Sequence, residues 1–463
     1  MSSAAALFRT DGIRAIEARF ANAQPPLMER AGAAVAAAAQ DMLAGGKGPV
    51  LIVAGPGNNG GDGLVAARLL GERGIATAVV TAGVDPVPQR DWRLAIDALF
   101  GIGLARPIEG RFAEVVAQIN ALGCPVLAID IPSGLCADTG RVLGVAVRAT
   151  RTITFIAGKP GLYTLDGPDH CGEVTIDAIG LDTGAPQGQL VSPDLFRACL
   201  RPRRRNAHKG SFGSVGIIGG APGMAGAALL AGRAALQFGS GRVYVGMIER
   251  LKVDPTQPEL MLRDPDDVFG LATALAVGPG LGQSNAAAEL LRRAIETPLP
   301  LVLDADALNL LAAHPVLFAK VSRRGTPCIL TPHPAEAARL LGTGTDAVQA
   351  DRIAAASNLA GTHATVVLKG CGTVIVTENR PWFINPTGNA GLASAGSGDV
   401  LTGMMVALLA QGWPAHEAAL AAVHLHGAAA DELVAAGTGP VGLTASETIP
   451  VARNLLNRRI TNA

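Results

Sequence analysis

Charge is scarce in this 463-residue chain: 16% of its residues are Asp, Glu, Lys or Arg, against about 25% in an average soluble protein. With hydrophobic residues at 49%, that scarcity excludes a disordered, solvating chain and a charged coiled coil. An excess of either sign is missing too, since Lys+Arg 38 balances Asp+Glu 38. The dense basic run Arg201 to Arg205 is too small a footprint for a dedicated nucleic-acid binder, so no nucleic-acid partner is expected. Paired cysteines are absent. Cys124, Cys136, Cys171, Cys199, Cys328 and Cys371 are scattered, with no CxxC and no His at metal spacing, and are expected to be reduced core thiols. Long apolar runs are lacking as well: Val400 to Ala410 stops well short of the roughly 18 residues that span a bilayer. The start, Met1-Ser2-Ser3-Ala4, has no basic region leading into an apolar run. No membrane partner and a cytoplasmic location are therefore expected. No short internal repeat is present, which argues against a solenoid.

Glycine is what the chain has in excess: 58 residues, roughly one in eight where about 7% is usual. The length suggests two large domains or three small ones. Along the first 180 residues, β-rich runs (Val50 to Ala54, Thr77 to Val80, Leu94 to Asp97, Val126 to Asp130) alternate with Ala-rich helical stretches. This pattern predicts a mostly parallel α/β sheet covered on both faces, with ligands beyond the carboxyl ends of its strands. Asp182 to Ser211 turns to Gly, Pro and basic residues, a linker texture, and the boundary is placed near residue 195, giving domains 1–195 and 196–463. The alternation restarts at Val215 to Ile218 and continues through Arg242 to Val245, Leu275 to Val277, Leu301 to Asp304, Cys328 to Leu330 and Thr365 to Leu368.

In the first domain, Gly55-Pro56-Gly57-Asn58-Asn59-Gly60-Gly61-Asp62-Gly63 follows a strand and precedes a helix expected from Leu64. Backbone N–H groups there can face an anion. No Lys-Ser/Thr follows as in a P-loop, and a tight turn with Asp62 as a helix N-terminal charge is the plain alternative. Asp97 and Asp130 end two further strands, Asp97 before Phe100-Gly101-Ile102-Gly103-Leu104-Ala105-Arg106-Pro107 and Asp130 before Ile131-Pro132-Ser133-Gly134. Oxygen ligands of this kind suit a hard cation rather than zinc or copper.

These three motifs, in this order, resemble the NAD(P)H-hydrate epimerase domain over about residues 9–190. The resemblance implies a Rossmann-like αβα domain in which Asn58, Asn59, Gly60, Gly61 and Asp62, with Gly101, Ile102, Gly103, Leu104, Ala105, Arg106 and Pro107, line the site for a hydrated nicotinamide nucleotide. It implies Asn59, Asp97 and Ser133 as K+ ligands and Asp130 as a substrate contact. Inverting a carbinol carbon needs proton movement, which makes Asp130 the candidate acid/base.

In the second domain, the run from Asn385 to Asp399, rich in Gly, Ala and Ser, leads into the apolar stretch Val400 to Ala410. Its N–H groups can converge on phosphate oxygens at a helix N-terminus, with Asp399 placed to take a proton from a substrate hydroxyl; an N-capping Asp after a flexible loop is the alternative. Lys369-Gly370-Cys371-Gly372-Thr373 lies between two β-rich runs, as a plain hairpin also would. His333 sits between Pro332 and Pro334, and Glu336 opens the next helix, where a carboxylate is favourable in any case.

With His208 to Gly213, Gly223 to Ala228, Gly278 to Gly282 and Asp304 to Asn309, these strings resemble the ADP-dependent NAD(P)H-hydrate dehydratase domain of the ribokinase-like superfamily, over about residues 205–460. The resemblance implies that Lys369, Gly370, Cys371, Gly372, Thr373 and Gly398 face ADP, and that Ala227, Gly282, His333 and Asp399 face the hydrate. Mg2+ is expected with the ADP. The implied function is repair of hydrated NADH and NADPH: the first domain interconverts R and S hydrates, and the second dehydrates the S form to NAD(P)H, AMP and phosphate. A homo-oligomer is expected on family grounds. The other enzyme reading is an ATP-dependent ribokinase-like kinase of a small alcohol fused to a nucleotide-binding domain; a non-enzymatic nucleotide sensor is the third.

Overall fold

The computed structural model describes residues 5–88, 90–361 and 364–461; Met1 to Ala4, where no leader is expected, lie outside them. The chain falls into two compact units, Ala5–Gln189 and Leu190–Ala463.

In the first unit, β1 (Val50–Ala54), β2 (Thr77–Thr81), β3 (Leu94–Ala98), β4 (Val126–Ile129), β5 (Arg151–Phe155) and β6 (Glu173–Asp177) form an all-parallel sheet in the order β2-β1-β3-β4-β5-β6. Strands β1, β3 and β4 are buried at every position, as near-continuous apolar runs in a doubly covered sheet should be. Side chains alternate between two layers: Val50, Ile52, Leu94 and Ile96 pack with Val35 and Leu70, while Leu51, Val53 and Ala95 pack with Val116 and Ile119. The chain leaves β1 toward β2 and resumes at β3 on the other side of β1. The crevice between the carboxyl ends of β1 and β3 is thus a topological switch point, where such sheets bind ligands.

In the second unit, β7 (Ser214–Gly219), β8 (Arg242–Met247), β9 (Met261–Arg263), β10 (Ala274–Val277), β11 (Leu301–Leu303), β12 (Cys328–Leu330), β13 (Thr365–Leu368), β14 (Val374–Val376) and β15 (Trp382–Ile384) follow the order β15-β14-β13-β12-β11-β10-β7-β8-β9. Pairing is parallel from β9 to β13 and antiparallel at β14 and β15. The switch point lies between β7 and β10. The helix Ser397–Ala410 is buried at every residue from Val400 to Leu409, so its uniformly apolar sequence marks a core helix. Gly403 lets it approach the Ala225–Gln237 helix: a Cβ there would lie 2.1 Å from the Ala231 carbonyl oxygen.

Several expectations need correction. The Asn58–Glu72 helix starts six residues before Leu64, so the glycines at 60, 61 and 63 are helical. They read as loop because glycine is a poor helix former in isolation. The supposed linker contains a 3-10 helix, Pro193–Cys199, whose Phe196 is fully buried in the second unit's core. None of the cysteines is disulfide-bonded, but only Cys171 and Cys328 are buried, and Cys371 is exposed on a turn. Among the described residues no helix is long and apolar enough to cross a membrane.

Candidate active sites

The first unit gathers its polar residues at the β1/β3 switch point. Asp97, fully buried in β3, accepts from Ser133 N (2.8 Å), Ser133 Oγ (2.7 Å) and Leu99 N (3.2 Å). Burial pushes its carboxyl up to about 6 against the lowering effect of the Ser133 bonds. Ser133 Oγ also accepts from Phe100 N at 2.9 Å, which ties the turn after β3 to the turn after β4. Asn59, in the first turn of its helix, is buried with Nδ2 unpartnered. A Cβ on Gly101 would sit 3.1 Å from Asn59 Oδ1 and 3.4 Å from Asp130 Oδ2, so these three residues converge.

The glycines make this convergence possible. A Cβ on Gly55 would lie 1.9 Å from the Leu99 carbonyl oxygen, and one on Gly60 would lie 2.0 Å from the Gly55 carbonyl oxygen. Helix, loop and β3 therefore meet backbone to backbone.

Asp130 follows β4 in the left-handed region, φ 67°, strained for a non-glycine residue. Lys159 Nζ, wholly buried, lies 2.5 Å from Asp130 Oδ1 and donates also to Thr154 Oγ1 (2.7 Å) and the Phe155 carbonyl (2.8 Å). Thr154 Oγ1 reaches Asp130 Oδ1 at 3.2 Å. Burial, then Asp130 and Glu17, push the Asp62 carboxyl up to about 8. Burial and Asp130 likewise raise Glu17. Asn58 and the run Ala105, Arg106 and Pro107 are exposed at the rim, while Ile102 and Leu104 turn partly into the core.

In the second unit, Asp304 ends β11 and is buried. It accepts from Lys369 Nζ (2.7 Å) through Oδ1 and from Thr402 Oγ1 (2.8 Å) through Oδ2. A Cβ on Gly398 would lie 3.3 Å from Lys369 Nζ, so the helix start, β11 and β13 converge. Asp399 is not an N-cap: Gly396, in the left-handed conformation, holds that position and the helix opens at Ser397. Burial and then Asp304 push the Asp399 carboxyl up to about 7, against the pull of Lys369. Burial lowers Lys369, but the combined attraction of Asp304, Glu336 and Asp399 leaves it above its ordinary value. The hydroxyls of Ser394 and Ser397 are buried and unpartnered in the same loop.

The Lys369–Thr373 turn joins antiparallel β13 and β14. Arg352 holds it from beneath: Nη2 donates to the carbonyls of Leu368 (3.2 Å) and Lys369 (3.3 Å), and burial lowers the guanidinium to about 10. Ala227 and Gly282 flank the β7/β10 switch point, where Gly282 N donates to Asp306 Oδ2 at 2.8 Å. His333 caps the Pro334–Leu341 helix through Nδ1, and Glu336 accepts from His333 N at 2.8 Å. Burial lowers His333 and raises Glu336.

Sequence reasoning missed Lys159, Thr154, Glu17, Arg352 and Thr402. The Gly158-Lys159-Pro160-Gly161 string after a β-rich run could have signalled Lys159. Arg352 sits on a helix with no local mark of burial.

A family model described as NAD(P)H-hydrate dehydratase matches residues 215–450, and one described as YjeF-related protein N-terminus matches residues 24–95 and 84–161. A bifunctional NAD(P)H-hydrate repair enzyme of Coxiella burnetii is 40% identical over 447 residues, covering 88% of this chain and 90% of the relative. This chain belongs to that family of repair enzymes. The Escherichia coli member is 37% identical, with 89% of this chain and 86% of the relative covered. Among solved structures, the ADP/ATP-dependent NAD(P)H-hydrate dehydratase of Bacillus subtilis, co-crystallised with ATP/Mg2+, matches at TM-score 0.51 and 31% identity, over 58% of this chain and 98% of that one. A ribokinase-like superfamily protein of Enterococcus faecalis matches at TM-score 0.51 and 25% identity, over 59% and 96%. The second unit is thus ribokinase-like and the first Rossmann-like, as the motifs implied.

Proposed function

We propose that the chain restores hydrated NADH and NADPH by two reactions at the two carboxyl edges described above. The observation that carries this reading is Lys369 Nζ, held 2.7 Å from Asp304 beside Gly398 and Asp399 at the start of a core helix. That arrangement suits transfer of a phosphoryl group from ADP to the ring hydroxyl of the S hydrate.

Hydroxide leaves poorly, whereas phosphate, pushed out by the ring nitrogen, leaves readily. Asp399 takes the hydroxyl proton as the oxygen–phosphorus bond forms and the bond to the AMP leaving group breaks. Lys369 and the N–H groups of Gly396 and Gly398 stabilise the phosphate charge, and the unpartnered hydroxyls of Ser394 and Ser397 can donate to it. Loss of phosphate then restores the ring double bond, giving NAD(P)H, AMP and phosphate. The turn Lys369, Gly370, Cys371, Gly372 and Thr373 faces ADP; Ala227, Gly282 and His333 face the hydrate, with His333 Nε2 held 3.2 Å from Glu336 Oε1. Asp304, Asp306 and Asp399 share this edge, and their repulsion favours a cation beside the phosphates. Mg2+ brought by the nucleotide would supply that charge neutralisation.

In the first unit, inverting the carbinol carbon needs a proton delivered to and recovered from its oxygen as the bond breaks and reforms. Asp62, pushed up to about 8, holds a proton at neutral pH, while Asp130 is paired with Lys159. Asp62 would then deliver the proton as the acid, and Asp130, held by Lys159, would recover it as the base. Asn59, Asp97 and Ser133, with the Phe100 carbonyl, offer an all-oxygen set that fits K+. Among the described residues no three His, Cys, Asp or Glu side chains converge as a metal-ligand group, so a transition-metal site is not what this set supports. Held there, K+ would fix the turns after β3 and β4 that bring Gly101 to Asp130. A cytoplasmic location and a homo-oligomeric assembly complete the reading.

The test is recovery of nicotinamide absorbance from separated R and S hydrates, with and without ADP. Conversion of S but not R in the first turnovers, dependence on ADP, and release of phosphate support the reading. A stable phosphorylated product with no NADH would favour the small-alcohol kinase instead.

A further inference from the structure

The opposite edge of the second unit's sheet holds a cavity that neither reaction uses. It lies at the amino end of β7, beside the carboxyl ends of the Ala225–Gln237 and Ser397–Ala410 helices, and its volume is about 890 Å³, within the range of small-molecule sites. Its wall includes Arg201, Arg203, Arg204 and Arg453 with the rings of Phe212 and Trp413, and among the described residues no Asp or Glu lines it. In a chain of zero net charge, that is a local surplus of cations around a half-open hollow.

Arg203 is explained by the protein itself. Its guanidinium lies 3.7 Å from the Phe212 ring centroid and donates to the Gly239 carbonyl (2.6 Å) and Gln411 Oε1 (2.9 Å). Arg201 makes one long bond to the Ala198 carbonyl, 3.4 Å. Among the described residues, the exposed guanidiniums of Arg204 and Arg453, by contrast, have neither an ion-pair partner nor a hydrogen-bond acceptor in this wall.

The His208–Gly213 segment, unused at the catalytic edge, builds part of this wall. His208 caps the Lys209–Phe212 turn through its side chain. A Cβ on Gly241 would fall 1.6 Å from the Lys209 carbonyl oxygen, and one on Gly213 would fall 2.1 Å from that of Ala410. The turn that carries Phe212 thereby closes, at Gly213, on the last residue of the helix whose first turn carries Asp399. That helix has 14 residues, about 21 Å at 1.5 Å per residue.

We propose that this cavity is a second ligand site, for a phosphorylated heteroaromatic molecule of the nucleotide class. Guanidinium forks match phosphate oxygens two at a time, which suits Arg204 and Arg453, and Trp413 offers a ring face for the base. The occupant would bear on the helix that presents Asp399.

Calorimetric titration of ADP into the full chain tests this, comparing wild type with Arg204→Ala/Arg453→Ala and using inorganic pyrophosphate as competitor. The double variant is expected to bind one ADP equivalent fewer per chain, to melt as wild type does, and to keep ADP-driven dehydration. Lys369→Ala is expected to lose a different equivalent, and pyrophosphate to displace the arginine-dependent one. Equal ADP stoichiometry in wild type and double variant overturns the proposal. So does an arginine-dependent affinity for single-stranded RNA without one for ADP. If the alanine pair folds poorly, Arg204→Gln/Arg453→Gln gives the same comparison.

Discussion

Lys159 Nζ and Asp130 Oδ1 are 2.5 Å apart, and the lysine side chain is almost wholly shielded from water. Removing the carboxylate alone would leave a buried ammonium without its counter-charge, a change that costs about 3–5 kcal/mol. Asp130→Ala should therefore lower the first unit's melting temperature and abolish interconversion of R and S hydrates. Adding Lys159→Met should recover much of the stability and none of the epimerisation. If the double variant melts as low as the single one, the ion pair is not what Asp130 contributes to folding.

Asp399→Ala should lose ADP-driven recovery of nicotinamide absorbance by about 10²–10⁴-fold, the usual span for a general base, while R and S still equilibrate. Both rates are read on one sample by chiral separation of the hydrates. An equal loss of both would contradict two independent sites.

The pH dependence of dehydration follows from the same carboxyl. Burial and Asp304 push Asp399 up to about 7, and only its unprotonated form accepts a proton, so kcat/KM should fall with unit slope as pH drops below about 7. The stability effect has the opposite sense. Because the folded value lies above the unfolded one, the folded state binds the proton more tightly, and the stability this confers is complete at low pH and lost as pH rises through about 7. Asp399→Asn should consequently raise the melting temperature more at pH 8 than at pH 5.

His416, His424 and His426 lie along the Ala415–Ala435 helix, and burial lowers each to about 4. Unfolding exposes them to take up protons, so stability from these groups is present above pH 6.5 and is lost as pH falls toward 4. Near pH 5 unfolding should absorb about three protons, seen as a steep fall of the second unit's melting temperature. His426→Leu should flatten that slope by about one proton; an unchanged slope would show that the imidazoles are not its source.

Much of this architecture is legible in the one-dimensional pattern because parallel sheets covered on both faces demand unbroken apolar strands. Val50 to Ala54 and Val126 to Ile129 meet that demand plainly. β5 and β6 escape this reading: Arg151 to Phe155 opens on a charge and alternates Thr with apolar residues, and Glu173 to Asp177 is only partly buried and reads as polar. Motifs that hold several chemical groups at fixed spacing, such as Asn58 to Asp62, point to a candidate site from the sequence alone. Single residues brought in from elsewhere did not: Lys159 reaches Asp130 from 29 positions away, and Arg352 supports the Lys369 turn from a helix whose sequence looks ordinary. Such partners are set by tertiary packing, which no local periodicity encodes.

The contact between Gly55 and Gly60 constrains how this enzyme could diversify. With a 2.0 Å clearance to a backbone oxygen, even a methyl group at position 60 would wedge the helix from its loop, so the floor of the β1/β3 crevice is closed to gradual change. New preferences for the hydrated ring would have to arise around it, at side chains with room to be exchanged, such as Met28, which already overhangs Gly61, or Ile102.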